Sequence, residues 1–283
     1  MIIINTVVKK ILITAAVSAM IIGAVSLIAV FVIFVSAQKA ALPSAESEEY
    51  IPEVPVHTYN LDKIISQGDF KYYYENGDVS SQLGIDVSYA QKEIDWKKVK
   101  ESGIDFAMIR VGYRGYTEGK LNLDEYFDIN AKKADEAGIG VGAYFFSQAI
   151  NVEEAKEEAR FVADKIKDYN ITYPVAFDWE DITHTDARTD FIDGQTLTDI
   201  ANTFCTDISE AGYTPIIYSS LNLLREHFDR YDRTQMLDKM FWLAEYKDKP
   251  EYEYQFSMWQ YTDSGKVKGI NNFVDLNILF QKK

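Results

Sequence analysis

The sequence predicts an α/β protein: a TIM-like (β/α) barrel with an irregular, helix-poor C-terminal part, preceded by an N-terminal transmembrane helix. Short apolar strand patterns alternate with amphipathic helical patterns from residue 80 onward. This alternation is typical of a parallel sheet, and about eight strands in roughly 200 residues favour a sheet that closes on itself. A long uncharged apolar run near the N-terminus stands apart from this pattern and predicts the membrane helix.

The apolar run covers residues 11–35 and is long enough to cross a bilayer as a helix. Lys9 and Lys10 precede it and several glutamates follow it, so residues 1–10 are expected in the cytoplasm and the remaining chain outside. A signal peptide cleaved after Ala37 is the alternative, although its apolar core usually has only about 7–15 residues. We therefore expect a single-pass protein of the cell membrane, or a secreted protein if cleavage occurs.

Residues 36–79 are predicted to form an extracytoplasmic linker that leads to a barrel domain at residues 80–283. Three prolines with interspersed serine and glutamate favour an extended tether. The aromatic stretch 70–74 is expected to pack onto the domain that follows.

The predicted strands have turn residues or helical patterns between them. They are residues 84–88, 106–112, 140–147, 174–180, 215–219, 241–246, 256–261 and 273–277. Gly103, Gly138 and Gly212 are expected to end helices, and Asn151 with Glu154 predicts a capping box. The last three strands leave little room for helices. An open doubly wound sheet is the alternative, but the first strand lacks the glycine-rich phosphate turn of that fold.

The composition excludes several classes of function. The net charge of −15 argues against nucleic acid as a partner, because phosphate binding requires clustered basic residues. Cys205 is the single cysteine and is expected in the core of a helix, and the three histidines lack metal-ligand spacing. Neither a metal nor another cofactor is expected, and the sequence leaves the identity of any protein partner open.

The most informative stretch is residues 173–180, which alternates with a period of two. Asp178 and Glu180 fall on one side of this strand, and the apolar side is formed by Val175, Phe177 and Trp179. Two neighbouring buried carboxyl groups raise each other's pKa, and such a pair is what hydrolysis of a glycosidic bond requires. The alternative is a pair of surface acids on an edge strand.

Two further acids are predicted at the same place. Asp86 lies late in the first strand and Asp275 lies in the last strand, and these strands become neighbours when the barrel closes. Because active sites of such barrels form at the carboxyl ends of the strands, we expect the four acids to converge on one mouth.

At this point the chain resembles the glycoside hydrolase family 25 lysozymes, the muramidases of bacteria and phages. The resemblance covers about residues 80–283, and its motifs occur in the family's order. They are residues 84–88 with Gln91 and 94–96, then 109–112, 142–146, 177–180, 242–246, 259–261 and 274–277. Lys92 departs from the pattern, because the family often has glycine after the glutamine.

The resemblance implies cleavage of the β-1,4 bond between N-acetylmuramic acid and N-acetylglucosamine in peptidoglycan glycan strands. It implies that Glu180 is the general acid, that Asp178 steadies the reacting sugar, and that Asp86 and Asp275 line the floor. It favours retention with participation of the substrate's 2-acetamido group, whereas the spacing of two residues along a strand fits either stereochemical outcome.

Several other side chains are candidates for contacting the sugars, with core packing or a buried salt bridge as the alternative for each. They are Tyr144, Tyr218, Trp242, Tyr246, Trp259 and Arg110. Two other functions compete with the muramidase interpretation. A non-catalytic surface glycan-binding ectodomain would not need Glu180, and a chitinase-like enzyme would carry a longer acidic signature, which Ala176 interrupts.

Overall fold

In the computed structural model, the described residues are 53–182, 186–225 and 231–281. The predicted cytoplasmic segment 1–10, the predicted anchor 11–35 and the first part of the predicted linker lie outside these residues. Within the described ranges, no helix is long and apolar enough to cross a membrane.

The strands and helices of the described chain follow in sequence order. The strands are β1 (Ile64–Gln67), β2 (Phe70–Glu75), β3 (Asp78–Val79), β4 (Ser81–Val87), β5 (Phe106–Arg114), β6 (Leu121–Leu123), β7 (Gly140–Ser147), β8 (Ile171–Trp179), β9 (Pro215–Ser220), β10 (Met240–Ala244), β11 (Met258–Gly265) and β12 (Val274–Phe280). The α-helices are α1 (Trp96–Glu101), α2 (Phe127–Glu136), α3 (Val152–Ile166), α4 (Gly194–Glu210) and α5 (Leu221–Arg225).

Eight strands form a closed barrel in the order β4, β5, β7, β8, β9, β10, β11 and β12, and β12 pairs with β4. Neighbouring strands are parallel except around β12, which is antiparallel to both β11 and β4. Residues 266–273 connect β11 to β12, and this connection is shorter than the dozen or so residues that a parallel crossover requires. The predicted α/β barrel with a helix-poor C-terminal part is confirmed, and the reversed direction of β12 is new.

Two hydrophobic clusters lie on opposite faces of the barrel wall. Val175, Phe177 and Trp179 belong to the larger cluster, which includes residues of the surrounding helices. Ala176 belongs to the smaller cluster inside the barrel, with Phe106 and Met258 among others. The period-two alternation of β8 therefore directs Asp178 inward, as the sequence predicts.

The N-terminal strands β1, β2 and β3 form a small antiparallel sheet that belongs to the folded unit. Tyr73 is buried, its amide donates to Ser81 Oγ at 2.9 Å, and its ring lies 5.2 Å from that of Phe280. The described part of the predicted linker is thus folded against the barrel, and the domain boundary predicted at residue 80 moves toward residue 53. Alternating aromatic residues in β2 supply the apolar face that makes this packing favourable.

Candidate active site

Asp86 and Asp275 lie opposite each other on paired strands at one end of the barrel. Asp86 is the residue before the last of β4, and Asp275 is the second residue of β12. Because β12 is antiparallel, its beginning meets the end of β4. Asp275 therefore reaches the mouth from the start of its strand, whereas the active-site residues of parallel barrels lie at the carboxyl ends of strands.

Two side-chain amide groups orient Asp86, and an indole N–H group orients one of them in turn. Its Oδ2 accepts hydrogen bonds from Gln260 Nε2 at 2.9 Å and from Asn277 Nδ2 at 2.8 Å. Asn277 Oδ1 in turn accepts from Trp242 Nε1 at 2.8 Å. Burial raises the pKa of Asp86 to about 6, while the bonds from Asn277 and Gln260 favour the ionised form and limit the rise.

Asp178 and Glu180 lie side by side where β8 ends, and their carboxyl groups influence each other's titration. Burial raises the pKa of both groups, and for Asp178 the charges of Glu180 and Asp86 raise it further. The pair therefore retains a shared proton at a pH where an exposed carboxyl group is ionised. Asp178 Oδ1 is buried without a hydrogen-bond partner.

The four acids act on one another electrostatically. Burial raises the pKa of Asp275 to about 8, and the charge of Asp86 contributes to this rise. The charge of Asp86 also raises the pKa of Glu180. An anionic cluster of this kind favours a positively charged transition state such as an oxocarbenium ion. The structure thus brings together all four predicted acids.

Three of the predicted aromatic residues surround the mouth. Tyr144 is partly exposed, and the buried Tyr218 lies edge to face against Trp242, with ring centroids 4.9 Å apart. The hydroxyl groups of Tyr218 and Tyr246 donate to Gln260 Oε1 at 3.1 and 2.9 Å. These contacts place Tyr218 beneath the mouth as support for Gln260, while Tyr246 keeps an exposed ring.

The two tryptophans predicted to contact sugars, Trp242 and Trp259, have almost no exposed surface. Trp259 is fully buried outside the barrel wall and donates to the Glu245 carbonyl oxygen at 2.8 Å. Trp242 is 2% exposed and holds Asn277. Trp259 is a core residue and does not contact substrate. Alternation along β11 turns its side chain away from the mouth that Gln260 faces. Trp242 positions another side chain.

Arg110 forms a salt bridge with the buried Asp124, with 2.8 Å between Arg110 Nη2 and Asp124 Oδ2. Its guanidinium group lies between the rings of Tyr89 and Tyr113, at 4.9 and 5.4 Å from their centroids. Arg110 therefore forms a buried salt bridge, as predicted, and also lies near the acids of the mouth. It is ion-paired, and its charge is close enough to Asp178 to oppose the rise of that pKa.

An open pocket of about 540 Å³ surrounds this arginine, and we call it the tyrosine pocket. Its lining is formed by Tyr89, Arg110, Tyr113, Tyr116, Leu123, Asp124, Glu125 and Phe146. Exposed tyrosine rings are suited to stacking on sugars. The sequence pattern does not single out Tyr89 or Tyr116, because Tyr89 lies in a short 3-10 helix and Tyr116 in a turn, where periodicity gives no orientation.

Gln148 supports the backbone that carries Glu180. Its Nε2 donates to the Glu180 carbonyl oxygen at 3.1 Å, and its Oε1 accepts from Thr189 Oγ1 at 2.9 Å. Lys92 lies in the loop after β4 with a φ of 55°, a left-handed conformation that favours glycine. Glycine at this position would fit the geometry better than lysine does.

No group of three or more His, Cys, Asp or Glu side chains in the described part of the chain could hold a metal ion. Cys205 is buried in α4, as predicted, and burial raises the pKa of its thiol to about 12.

The raised pKa of Asp275 predicts a pH-dependent effect on stability. Between about pH 4 and pH 8 the folded protein keeps a proton on Asp275 that the unfolded chain has lost, so rising pH destabilises the fold across this window. Asp275→Asn removes this effect. The variant should be more stable than the wild type at pH 8, by an amount that grows with pH across this window, with no difference below pH 4.

Urea unfolding at pH 4 and pH 8 measures the effect, with Asp78→Asn on the exposed strand β3 as the matched control. An equal gain in stability at both pH values would show that the charge of Asp275 is not its cause.

Comparisons with known proteins agree with this geometry. Residues 85–270 match the model of Glycosyl hydrolases family 25. The chain is 29% identical over 207 residues to YegX of Escherichia coli K12, covering 69% of this chain and 68% of that protein. It is 26% identical over 198 residues to the autolytic lysozyme of Clostridium acetobutylicum, covering 69% and 54% of the two chains.

Among solved structures, the autolysin LytC of Streptococcus pneumoniae in complex with a synthetic peptidoglycan ligand matches with a TM-score of 0.63 and 27% identity. The match covers 77% of this chain and 52% of LytC, so this chain spans about half the length of that protein. With the family matched over most of the barrel and four carboxyl groups at its mouth, the chain belongs to Glycosyl hydrolases family 25 and is a glycoside hydrolase of the lysozyme type.

Proposed function

We propose that the protein is a muramidase, which hydrolyses the β-1,4 bond between N-acetylmuramic acid and N-acetylglucosamine in peptidoglycan. The observation that carries this proposal is the adjacent Asp178–Glu180 carboxyl pair, whose pKa values are raised by burial, at a mouth that also holds Asp86 and Asp275. The lysozyme and autolysin among the similar proteins support the choice of substrate.

Glu180 acts as the general acid in this mechanism. It is partly exposed at the end of β8, whereas Asp178 is 6% exposed beneath it. Glu180 gives its proton to the glycosidic oxygen as the bond to the anomeric carbon breaks. In the second step it takes a proton from the attacking water.

Asp178 orients the 2-acetamido group of the substrate. The carboxylate of Asp178 accepts the acetamido N–H, which stabilises negative charge on Asp178 and moves the shared proton to Glu180. The acetamido carbonyl oxygen attacks the anomeric carbon, and water later opens the cyclic intermediate with retention of configuration. Asp86, held by Gln260 and Asn277, stabilises the positive charge that develops on the sugar ring.

The proposal includes the membrane anchor at residues 11–35, with the catalytic domain outside the cell. It is supported by the length of the apolar run and by the lysines before it. A tether would hold the enzyme near the inner face of the wall. Alkaline extraction of membranes that contain the full chain tests this, since an anchored chain stays in the pellet and a cleaved one is released.

The catalytic proposal is tested on purified peptidoglycan. The wild-type protein and Glu180→Gln are incubated with it in ¹⁸O-labelled water, and the fragments are analysed by mass spectrometry and by the configuration of the new anomeric centre. We expect new N-acetylmuramic acid reducing ends of retained configuration from the wild type alone. Inverted products would overturn acetamido participation, and binding without cleavage by both proteins would favour the glycan-binding ectodomain.

A further inference from the structure

A second open groove lies between the N-terminal hairpin and the barrel, and we call it the hairpin groove. Its volume is about 800 Å³, within the range of ligand sites. Ser66 and Asp69 of the hairpin form one wall, and Tyr246, Asp263 and Ser264 lie on the barrel side. The hairpin precedes the region matched by the family model.

The hairpin wall is held firmly against the barrel. The Lys71 amide donates to the Tyr261 hydroxyl oxygen at 3.3 Å, and that hydroxyl donates to the Asp69 carbonyl oxygen at 3.3 Å. The Lys71 ammonium group donates to the Asp248 carbonyl oxygen at 3.0 Å and lies 5.9 Å from the ring centroid of Trp259. A wall fixed by contacts of this kind is preorganised for a ligand.

The hairpin groove meets the catalytic mouth at Tyr246. This tyrosine lines the groove with a half-exposed ring, and its hydroxyl donates to Gln260 Oε1 at 2.9 Å. Gln260 in turn donates to Asp86 Oδ2 at 2.9 Å. A ligand that fills the groove can therefore be continuous with one that lies over the acids.

The chemistry of the groove suits neutral, hydroxyl-rich groups. The exposed carboxylates of Asp69 and Asp263 can accept hydrogen bonds from sugar hydroxyl groups, and the Tyr246 ring offers a stacking face. The two lysines of the groove are engaged in the protein. Lys71 is bound as described above, and Lys247 pairs with Glu251 at 2.5 Å. The groove therefore suits sugar rings better than the carboxylates of a stem peptide.

We propose that the hairpin groove binds further sugar residues of the glycan strand whose bond is cleaved at the mouth. This inference rests on the proposed muramidase function and deepens it, because it assigns the hairpin a role in selecting long glycan chains. Asp69 and Asp263 bind sugar hydroxyl groups there, and Tyr246 guides the strand from the mouth into the groove.

The test compares Asp69→Ala with the wild type on two substrates without stem peptides: long glycan strands and the shortest oligosaccharide that the wild type cleaves. We expect kcat/KM on long strands to fall about five- to twentyfold, as for loss of hydrogen bonds to a charged group, and to stay unchanged on the short substrate. Ser264→Trp, which fills the groove, should act in the same direction. Asp78→Ala on β3, outside the groove, should change neither value.

The outcomes separate this inference from the proposed function. Wild-type protein that cleaves neither substrate would refute the proposed function. Cleavage of both substrates with equal effects of Asp69→Ala, or with none, would overturn the hairpin-groove inference alone. Intact peptidoglycan, whose strands carry stem peptides, is assayed as a third substrate. A loss confined to it would assign the groove to the peptide and would also overturn the inference. Circular dichroism of each variant identifies misfolding, and Ser264→Trp keeps the test decisive if Asp69→Ala misfolds.

Discussion

Glu180→Gln is expected to lower kcat on peptidoglycan by about 10²–10⁴-fold, because glutamine cannot donate a proton to the leaving oxygen. Glutamine keeps the shape of the side chain and removes an acid whose pKa is raised by burial, so the fold should tolerate the change. Release of reducing ends from purified peptidoglycan measures the loss. Glu136→Gln, at an exposed position at the end of α2, is the matched control.

A substrate with a better leaving group tests whether the function lost in Glu180→Gln is proton donation. In an aryl N-acetylglycosaminide, the 4-nitrophenolate leaving group departs without protonation. Glu180→Gln should therefore retain far more activity on this substrate than on peptidoglycan. Equal losses on both substrates would contradict the general-acid role and would indicate a positioning effect.

Asp178→Asn is expected to lower kcat by about 10²–10³-fold on both kinds of substrate. The amide cannot supply the negative charge that polarises the acetamido N–H, and a good leaving group does not replace that charge. Parallel assays with peptidoglycan and the aryl glycoside therefore separate the roles of Asp178 and Glu180. Recovery of Asp178→Asn on the aryl substrate would contradict the assigned role.

The same variant should change the pH dependence. In the wild type, the negative charge shared by the pair raises the pKa at which the last proton leaves. Without a charge at position 178, Glu180 loses its proton at lower pH, so the alkaline limb of the residual activity should move toward acid. An unchanged limb would mean that Asp178 does not raise the pKa of the catalytic acid.

The barrel and its acids were predictable from short-range patterns. In β8, alternation alone places Asp178 inside the barrel, because Val175 and Phe177 must face the helices. The same rule separates Gln260 from Trp259, and its use along β11 would have identified Gln260 as the residue at the mouth. Asp275 reaches the mouth in an antiparallel strand, a direction that depends on the length of the preceding connection.

Contacts between distant parts of the chain were beyond the reach of such patterns. The hairpin folds onto the barrel through Tyr261 and Phe280, about 190 and 200 residues after it, and its own sequence resembles a linker with an aromatic end. The tyrosine pocket also depends on a contact between distant residues. The Tyr89 amide donates to Asp124 Oδ2 at 3.0 Å, and this hydrogen bond orients Tyr89.

The position of β12 between β11 and β4 has a consequence for the order of folding. Asp86 binds Asn277 across 191 positions of sequence, so this contact cannot form until nearly the whole described chain has been synthesised. A nascent chain that ends before β12 has an open sheet, lacks the Asn277 contact of Asp86 and has no Asp275. Enzymatic competence therefore begins with the insertion of the last strand, and shorter nascent chains cannot attack glycan while they are still being made.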